Sequence, residues 1–271
     1  MTLIVARAAG SELRIVGDTR ITDRGAIVRG AFVGALRLVT IGPDFAFCFS
    51  GDSGRGQQCL QKVAALYKAE APWDALVERA RAVHVDGRGD TQFLLGRIHD
   101  GVVELARIAD LEVRTGLTEA WIGDPAVHEA YRAAVKRAGG ADTTSTPAML
   151  RAFRLILNAG PDHPVDPPGV AIVTLPGGLG WAPTGVLQPD ARRGGSGVWT
   201  PPGGAFGYSI WAPVAPGVGA IGIWFEPGRL GALFFPERRA EPIVYKNVSV
   251  DDFRRALKLD FGLETEEMRF E

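Results

Sequence analysis

Met1-Thr2-Leu3-Ile4-Val5-Ala6 opens the chain, and its reading decides the rest. Thr2 is small enough for the initiator methionine to be removed, which would leave it carrying both a hydroxyl and a free α-amine. A hydroxyl alone is a weak nucleophile. An amine of reference pKa about 7.7–8.0 on the same residue supplies the missing base. The apolar residues 3–6 favour a strand, so this pair of groups would sit at the start of one. The plain alternative is that Thr2 only begins that strand.

Composition narrows the rest. A chain of 271 residues can bury a full core, and 46% hydrophobic with 23% charged residues is ordinary for a soluble globular protein. The net charge of −1, with acids and bases interleaved, gives no footprint for nucleic acid or anionic lipid. Cys48 and Cys59 make neither a disulfide framework nor a metal cluster, which points to a reducing, cytoplasmic compartment. No signal peptide is expected. No stretch reaches the roughly 18–20 apolar residues that a membrane helix needs.

Working outward, residues 3–7 and 13–16 read as a hairpin, and 36–41 with 45–50 as a pair of strands around the turn Gly42-Pro43-Asp44. Helices are expected at 53–70 and from Pro72 to 84. A hairpin at 93–98 and 102–108 turns on Asp100-Gly101. A strand at 119–122 ends in Gly123-Asp124-Pro125, and helices follow at 126–137 and 147–158. After a strand at 170–175, residues 183–207 are crowded with Gly and Pro and read as a surface excursion. Strands at 208–213, 220–226 and 230–235 and a helix capped by Ser249, with Asp252 three residues on, lead to a charged, fraying tail at 264–271. Helix pairs between strand runs predict a layered α+β protein with sheets inside and helices outside. Residues 2–271 read as one domain, with a β-rich C-terminal extension.

Three motifs carry less. Gly51-Asp52-Ser53-Gly54 matches the nucleophile loop of chymotrypsin-like proteases. Those need a His well upstream, and the first His here is His84, so the string reads as a turn into a helix. Gly217-Val218-Gly219-Ala220-Ile221-Gly222 fits GxGxxG, but the strand-like Ile223-Trp224-Phe225 follows where a dinucleotide site needs a helix. His84, His99, His128 and His163 show no metal-ligand spacing, so neither metal nor cofactor is expected. Trp199, Trp211 and Trp224 read as core or oligomer contacts.

Taken together, four features resemble the proteasome β-type subunits and bacterial proteasome-like threonine peptidases, which are N-terminal nucleophile hydrolases. They are Thr2-Leu3-Ile4-Val5-Ala6; Gly17-Asp18-Thr19-Arg20-Ile21-Thr22, with Asp18 sixteen residues after Thr2; Ser50-Gly51 before the first long helix; and the order of elements up to Trp121-Ile122-Gly123. The likeness spans about residues 2–140, weakens to about 182 and is absent across 183–207. It implies a four-layer αββα sandwich, cleavage of peptide bonds through a Thr2 acyl-enzyme, and assembly into a homo-oligomeric ring or stack. An ATP-dependent unfoldase would remain an unassigned partner.

Carried over residue by residue, Thr2 would be the nucleophile and, through its amine, the base. Asp18 would order the site, Gly51 would offer its N–H to the oxyanion, and Arg20 with Thr22 would bind the substrate backbone. Two departures stand out. Arg37, fourteen residues before Gly51, occupies the place of the family's Lys. It keeps the positive charge but cannot relay a proton. Asp124 replaces a Ser that touches the nucleophile's amine, and it would either take that role or cap the next helix. Two rivals follow: a non-catalytic scaffold, with Arg37 marking lost chemistry, and an amidase acting on a small amide.

Overall fold

The computed structural model describes residues 2–17, 22–23, 26–27, 36–137, 145–157, 170–182, 208–226, 229–239 and 242–268. The opening apolar run is a strand buried on both faces. In β1 (Leu3–Ala9), Ile4 and Ala6 enter the main core while Leu3 and Val5 enter a second one. That double burial explains why Leu-Ile-Val-Ala does not alternate with polar residues. β1 turns through Gly10, at φ +61, into β2 (Glu12–Gly17). It pairs on its other side with β10 (Glu119–Gly123), Leu3 opposite Gly123. β11 (Val170–Leu175) and β12 (Gly178–Trp181) complete a five-stranded sheet in the order β10-β1-β2-β11-β12. β3 (Thr22–Asp23) and β4 (Ala26–Ile27) form a separate two-stranded ladder.

The second sheet is a meander of β5 (Leu38–Gly42), β6 (Phe45–Gly51), β7 (Thr91–His99), β8 (Val102–Ala109) and β9 (Glu112–Arg114). Asp100 and Gly101 have φ of 51° and 75°, the doubly left-handed turn that an Asp-Gly hairpin favours. Helices α1 (Ser53–Lys68) and α2 (Trp73–Asp86) lie on this sheet. Gly56 sits so close to the Phe49 ring that an added Cβ would lie 2.1 Å from it. Across the main core the first two sheets face each other: an added Cβ at Gly96 of β7 would lie 2.5 Å from the Leu13 side chain of β2. The second core holds Tyr131 of α3 (Pro125–Arg137) and Phe153 of α4 (Thr146–Leu157) against Leu3, Val5 and Val16.

The C-terminal third overturns the expected architecture. β13 (Tyr208–Pro213), β14 (Ile221–Phe225), β15 (Leu230–Phe234), β16 (Ile243–Lys246) and β17 (Thr265–Glu267) form a third five-stranded antiparallel sheet in the order β16-β15-β14-β13-β17. It has its own core, built on Phe253 and Leu257 of α5 (Val250–Phe261) with Trp211 and Leu233. Ser249 caps α5 through its hydroxyl, which accepts from the Asp252 N–H at 3.1 Å. Among the described residues strands outnumber helices seventeen to five, and all three large sheets are antiparallel. The chain is therefore a predominantly β, three-sheet protein and not a four-layer αββα sandwich of N-terminal nucleophile hydrolase type. The physical reason lies in the supposed extension: its strands hydrogen-bond to one another and bury a helix of their own.

Several elements escaped the sequence reading. β9, β12 and β16 were not expected, and β17 lies in the supposedly fraying tail, where Glu267 pairs with Trp211. Gln57 Nε2 donates to the Pro236 carbonyl, and the Gly217 N–H donates to the Leu179 carbonyl at 2.7 Å, so the third sheet is fastened to α1 and β12. Gly217 itself, at φ +80, abuts Gly42 and Pro43, and Gly219 abuts the Thr40 carbonyl. The GxGxxG string is thus a packing seam that opens into a strand. Trp211 is buried beneath the Arg254 guanidinium, 4.4 Å from its ring centroid, and Trp224 Nε1 donates to the Val248 carbonyl at 3.1 Å. Both belong to the third core. Trp199 and the excursion at 183–207 lie outside the described residues.

Candidate functional site

The strand ends of the first two sheets meet at one end of the molecule, and Thr2 stands there. It is 6% exposed, directly before β1. Its carbonyl accepts the Asp124 N–H at 2.9 Å, just beyond the end of β10. Gly123 has φ +119 and lies so near that an added Cβ would be 1.9 Å from the Thr2 oxygen. Only glycine allows this approach. Gly17, at the end of β2, is wedged between Ile4 and Leu38. An added Cβ there would lie 2.9 Å from Ile4 Cγ1 and 2.7 Å from Leu38 Cδ2. Arg37 directly precedes Leu38, so its backbone lies at the same end.

Arg37 is buried, and its carbonyl accepts the Phe49 N–H at 2.9 Å, two residues before Gly51. Gly51 ends β6 with φ +102, opposite Thr91, and an added Cβ would strike the Asp90 carbonyl at 2.0 Å. The turn beyond it is built as read. Asp52 caps α1, its Oδ1 accepting the Arg55 N–H at 2.7 Å. Arg55 then reaches Asp90, with Nε 3.2 Å from Oδ2.

Asp124 also works as a cap. Its Oδ1 accepts the N–H groups of Ala126 at 2.8 Å and Val127 at 3.3 Å, and Pro125 takes the first position of α3, where a missing N–H costs nothing. The side chain thus serves the helix while its main-chain N–H serves Thr2. Asp18 and Arg20 lie outside the described residues. Thr22 lies in β3, opposite Ile27.

Two residues around the site were not singled out as site residues from the sequence. Gln92, opposite Ser50, sends its Oε1 across to the Gly123 N–H at 2.8 Å. His84 is buried behind Thr91. Its Nε2 accepts the Leu111 N–H at 3.0 Å, so Nδ1 carries the proton and donates to the Thr91 carbonyl at 2.5 Å. This neutral tautomer ties α2 to the strand that faces Gly51. The sequence shows only one amide at the start of the apolar run Phe93-Leu94-Leu95, which by itself does not mark a site residue.

Behind β10, His128 stacks on Trp121 with ring centroids 4.1 Å apart, and the Arg107 guanidinium lies 5.2 Å from the same indole centroid. Burial, then the charges of Arg132 and Arg107, lower the His128 pKa to about 4, so it is neutral at pH 7. Among the described residues no group of three or more His, Cys, Asp or Glu is arranged to hold a metal ion. Nor is any helix there long and apolar enough to cross a membrane.

No family profile fits the chain, and no curated protein matches its sequence.

Proposed function

We propose that the chain is a threonine hydrolase of amide bonds, with Thr2 as its nucleophile once Met1 has been removed. The observation that supports this reading best is the convergence at Thr2. The residue stands directly before β1, is held through its carbonyl, and shares one end of the molecule with Arg37 and Gly51.

In this reading the Thr2 hydroxyl oxygen attacks the amide carbon while its proton passes to the α-amine. The oxyanion that forms takes a hydrogen bond from the Gly51 N–H. Collapse breaks the C–N bond, and the departing amine takes the proton back from the ammonium. Water then attacks the ester on Thr2 by the same route and restores the hydroxyl. The sequence of steps balances without a cofactor. Arg37 supplies a fixed positive charge that favours the neutral amine and would pair with Asp18. Peptides are the proposed substrates, with Arg20 and Thr22 along the substrate strand. The proposed setting is a cytoplasmic homo-oligomer, which sedimentation at micromolar concentration tests.

Hydrolysis of a panel of fluorogenic peptide and small-amide substrates tests the chemistry. Wild type should release the fluorophore, Thr2→Ser should retain part of the rate, and Thr2→Ala should have none. Equal rates for wild type and Thr2→Ala would sink the proposal. One observation favours a second reading, a silenced scaffold: Arg37 stays protonated and cannot relay a proton as an amine could.

A further inference from the structure

We infer that Gln92 is a positioning residue that fixes the nucleophile against the oxyanion donor across the two facing sheets. The inference rests on the reading of Thr2 as nucleophile and of Gly51 as donor.

Side chains along β7 alternate, so Gln92, Leu94 and Gly96 share a face. Gly96 marks which face it is, because it meets Leu13 of the first sheet. Gln92 therefore extends towards the first sheet from a row that is otherwise apolar. An amide turned inwards costs free energy unless it is hydrogen-bonded. Here the bond is made: Oε1 accepts the Gly123 N–H at 2.8 Å. The atom must be the oxygen, since its partner is a donor.

What that bond holds is the peptide that holds Thr2. Gly123 receives the Gln92 contact, and the next N–H, that of Asp124, donates to the Thr2 carbonyl at 2.9 Å. The same Gly123 is pressed against Thr2 so tightly that no Cβ fits between them. At its other end Gln92 is a backbone member of β7, opposite Ser50, the residue before Gly51. Its neighbour Thr91 lies opposite Gly51 itself, and the Thr91 carbonyl is gripped by His84 Nδ1 at 2.5 Å. A short path of fixed geometry therefore runs from Thr2 through Asp124, Gly123 and Gln92 to Ser50 and Gly51. Arg107 Nε also crosses to β10, donating to the Trp121 carbonyl at 2.8 Å, but two residues further from Thr2. Attack and oxyanion capture happen on opposite sheets, so their separation depends on what spans the gap. A misplacement of about 1 Å can cost on the order of 100-fold in rate.

The test compares Gln92→Met, which keeps the volume and loses the acceptor, with Gln92→Glu, which keeps the acceptor. The readouts are the rate of adduct formation at Thr2 with an electrophilic N-terminal-threonine inhibitor, followed by intact mass, and hydrogen exchange of the peptide covering residues 119–124. Gln92→Met should react roughly 10- to 100-fold more slowly and exchange faster at residues 123–124, with Met1 still removed. Gln92→Glu should stay within a few-fold of wild type. If Gln92→Met does not fold, Gln92→Asn carries the comparison, because its amide is one methylene short of Gly123 and the rate should fall likewise. A Gln92→Met (or Gln92→Asn) rate equal to wild type, or an equal loss in Gln92→Glu, overturns the coupling and leaves Thr2 as nucleophile. An unreactive wild type that has lost Met1 overturns the Thr2 reading, and the coupling with it.

Discussion

Gly123→Ala probes the placement of Thr2 without touching any group proposed to react. Two costs follow from the structure. The new side chain must accept φ +119, and a positive φ costs an L residue about 1–2 kcal/mol. Its Cβ would also lie 1.9 Å from the Thr2 carbonyl oxygen, whereas even close C···O contacts are about 3.3 Å. The carbonyl must therefore retreat by more than an ångström, breaking the 2.9 Å bond from the Asp124 N–H, worth a further ~0.5–1.5 kcal/mol. Together these give about 1.5–3.5 kcal/mol, or a fall in melting temperature of roughly 3–14 °C. Gly10→Ala is the control: it has φ +61 but nothing within 4 Å, so it should cost only about 1–2 kcal/mol. Thermal and urea unfolding of both variants, with the rate of inhibitor adduct formation, is the assay. Gly123→Ala should be the less stable and much the slower to react. Equal stability of the two variants and an unchanged adduct rate would refute the placement of Thr2 against β10.

Four more predictions concern charge and caps. His128 has its pKa depressed to about 4, so the unfolded chain binds a proton near pH 6.5 that the folded chain refuses; stability should be full above pH 6.5 and fall as pH drops towards 4. The loss approaches a ceiling of about 3 kcal/mol, and His128→Phe, which preserves the stack on Trp121, should flatten that part of the urea-stability profile. Asp124→Ala should cost about 1 kcal/mol through the α3 cap, and an adduct rate that falls far beyond this stability loss would give the carboxylate a second role at the amine. Arg37→Met should move the pH–rate profile to higher pH, because the amine holds its proton longer without a nearby cation, while Arg37→Lys should retain the rate; an unchanged profile in Arg37→Met would remove Arg37 from the site. Burial pushes the Cys59 thiol up to about 12 and the Cys48 thiol up as well, so neither should react with a thiol reagent at pH 8 until the protein unfolds.

Local signals were readable and long-range ones were not. The Asp-Gly turn at 100–101, the Ser249 cap and the strand that opens the chain follow from adjacent residues, and the structure carries each of them. The third sheet depends on pairings that no local pattern announces. β17 is three polar residues, Thr265-Glu266-Glu267, whose exposed charges suit an edge strand and read like a loose tail. β13 follows the Gly/Pro-rich residues 183–207, which hide where its partner lies. The four-layer reading failed there, because helix pairs between strand runs say nothing about a sheet that closes on its own helix. In the candidate site, Thr2, Arg37 and Gly51 were named from motif spacing, and their roles are proposals. Gln92 was not, since a single amide gains its meaning only from the Gly123 N–H opposite it. His84 was weighed for metals, and its part as a neutral bridge between Thr91 and Leu111 needs the fold.

The central claim is that Thr2 becomes the free, reactive end of the chain. The direct measurement is the intact mass of the purified protein before and after incubation with an electrophile selective for N-terminal threonine. The account predicts a chain lacking Met1 that gains one inhibitor equivalent, located on Thr2 by fragmentation and absent in Thr2→Ala. A chain that keeps Met1, or one that loses Met1 and gains no adduct, would contradict it.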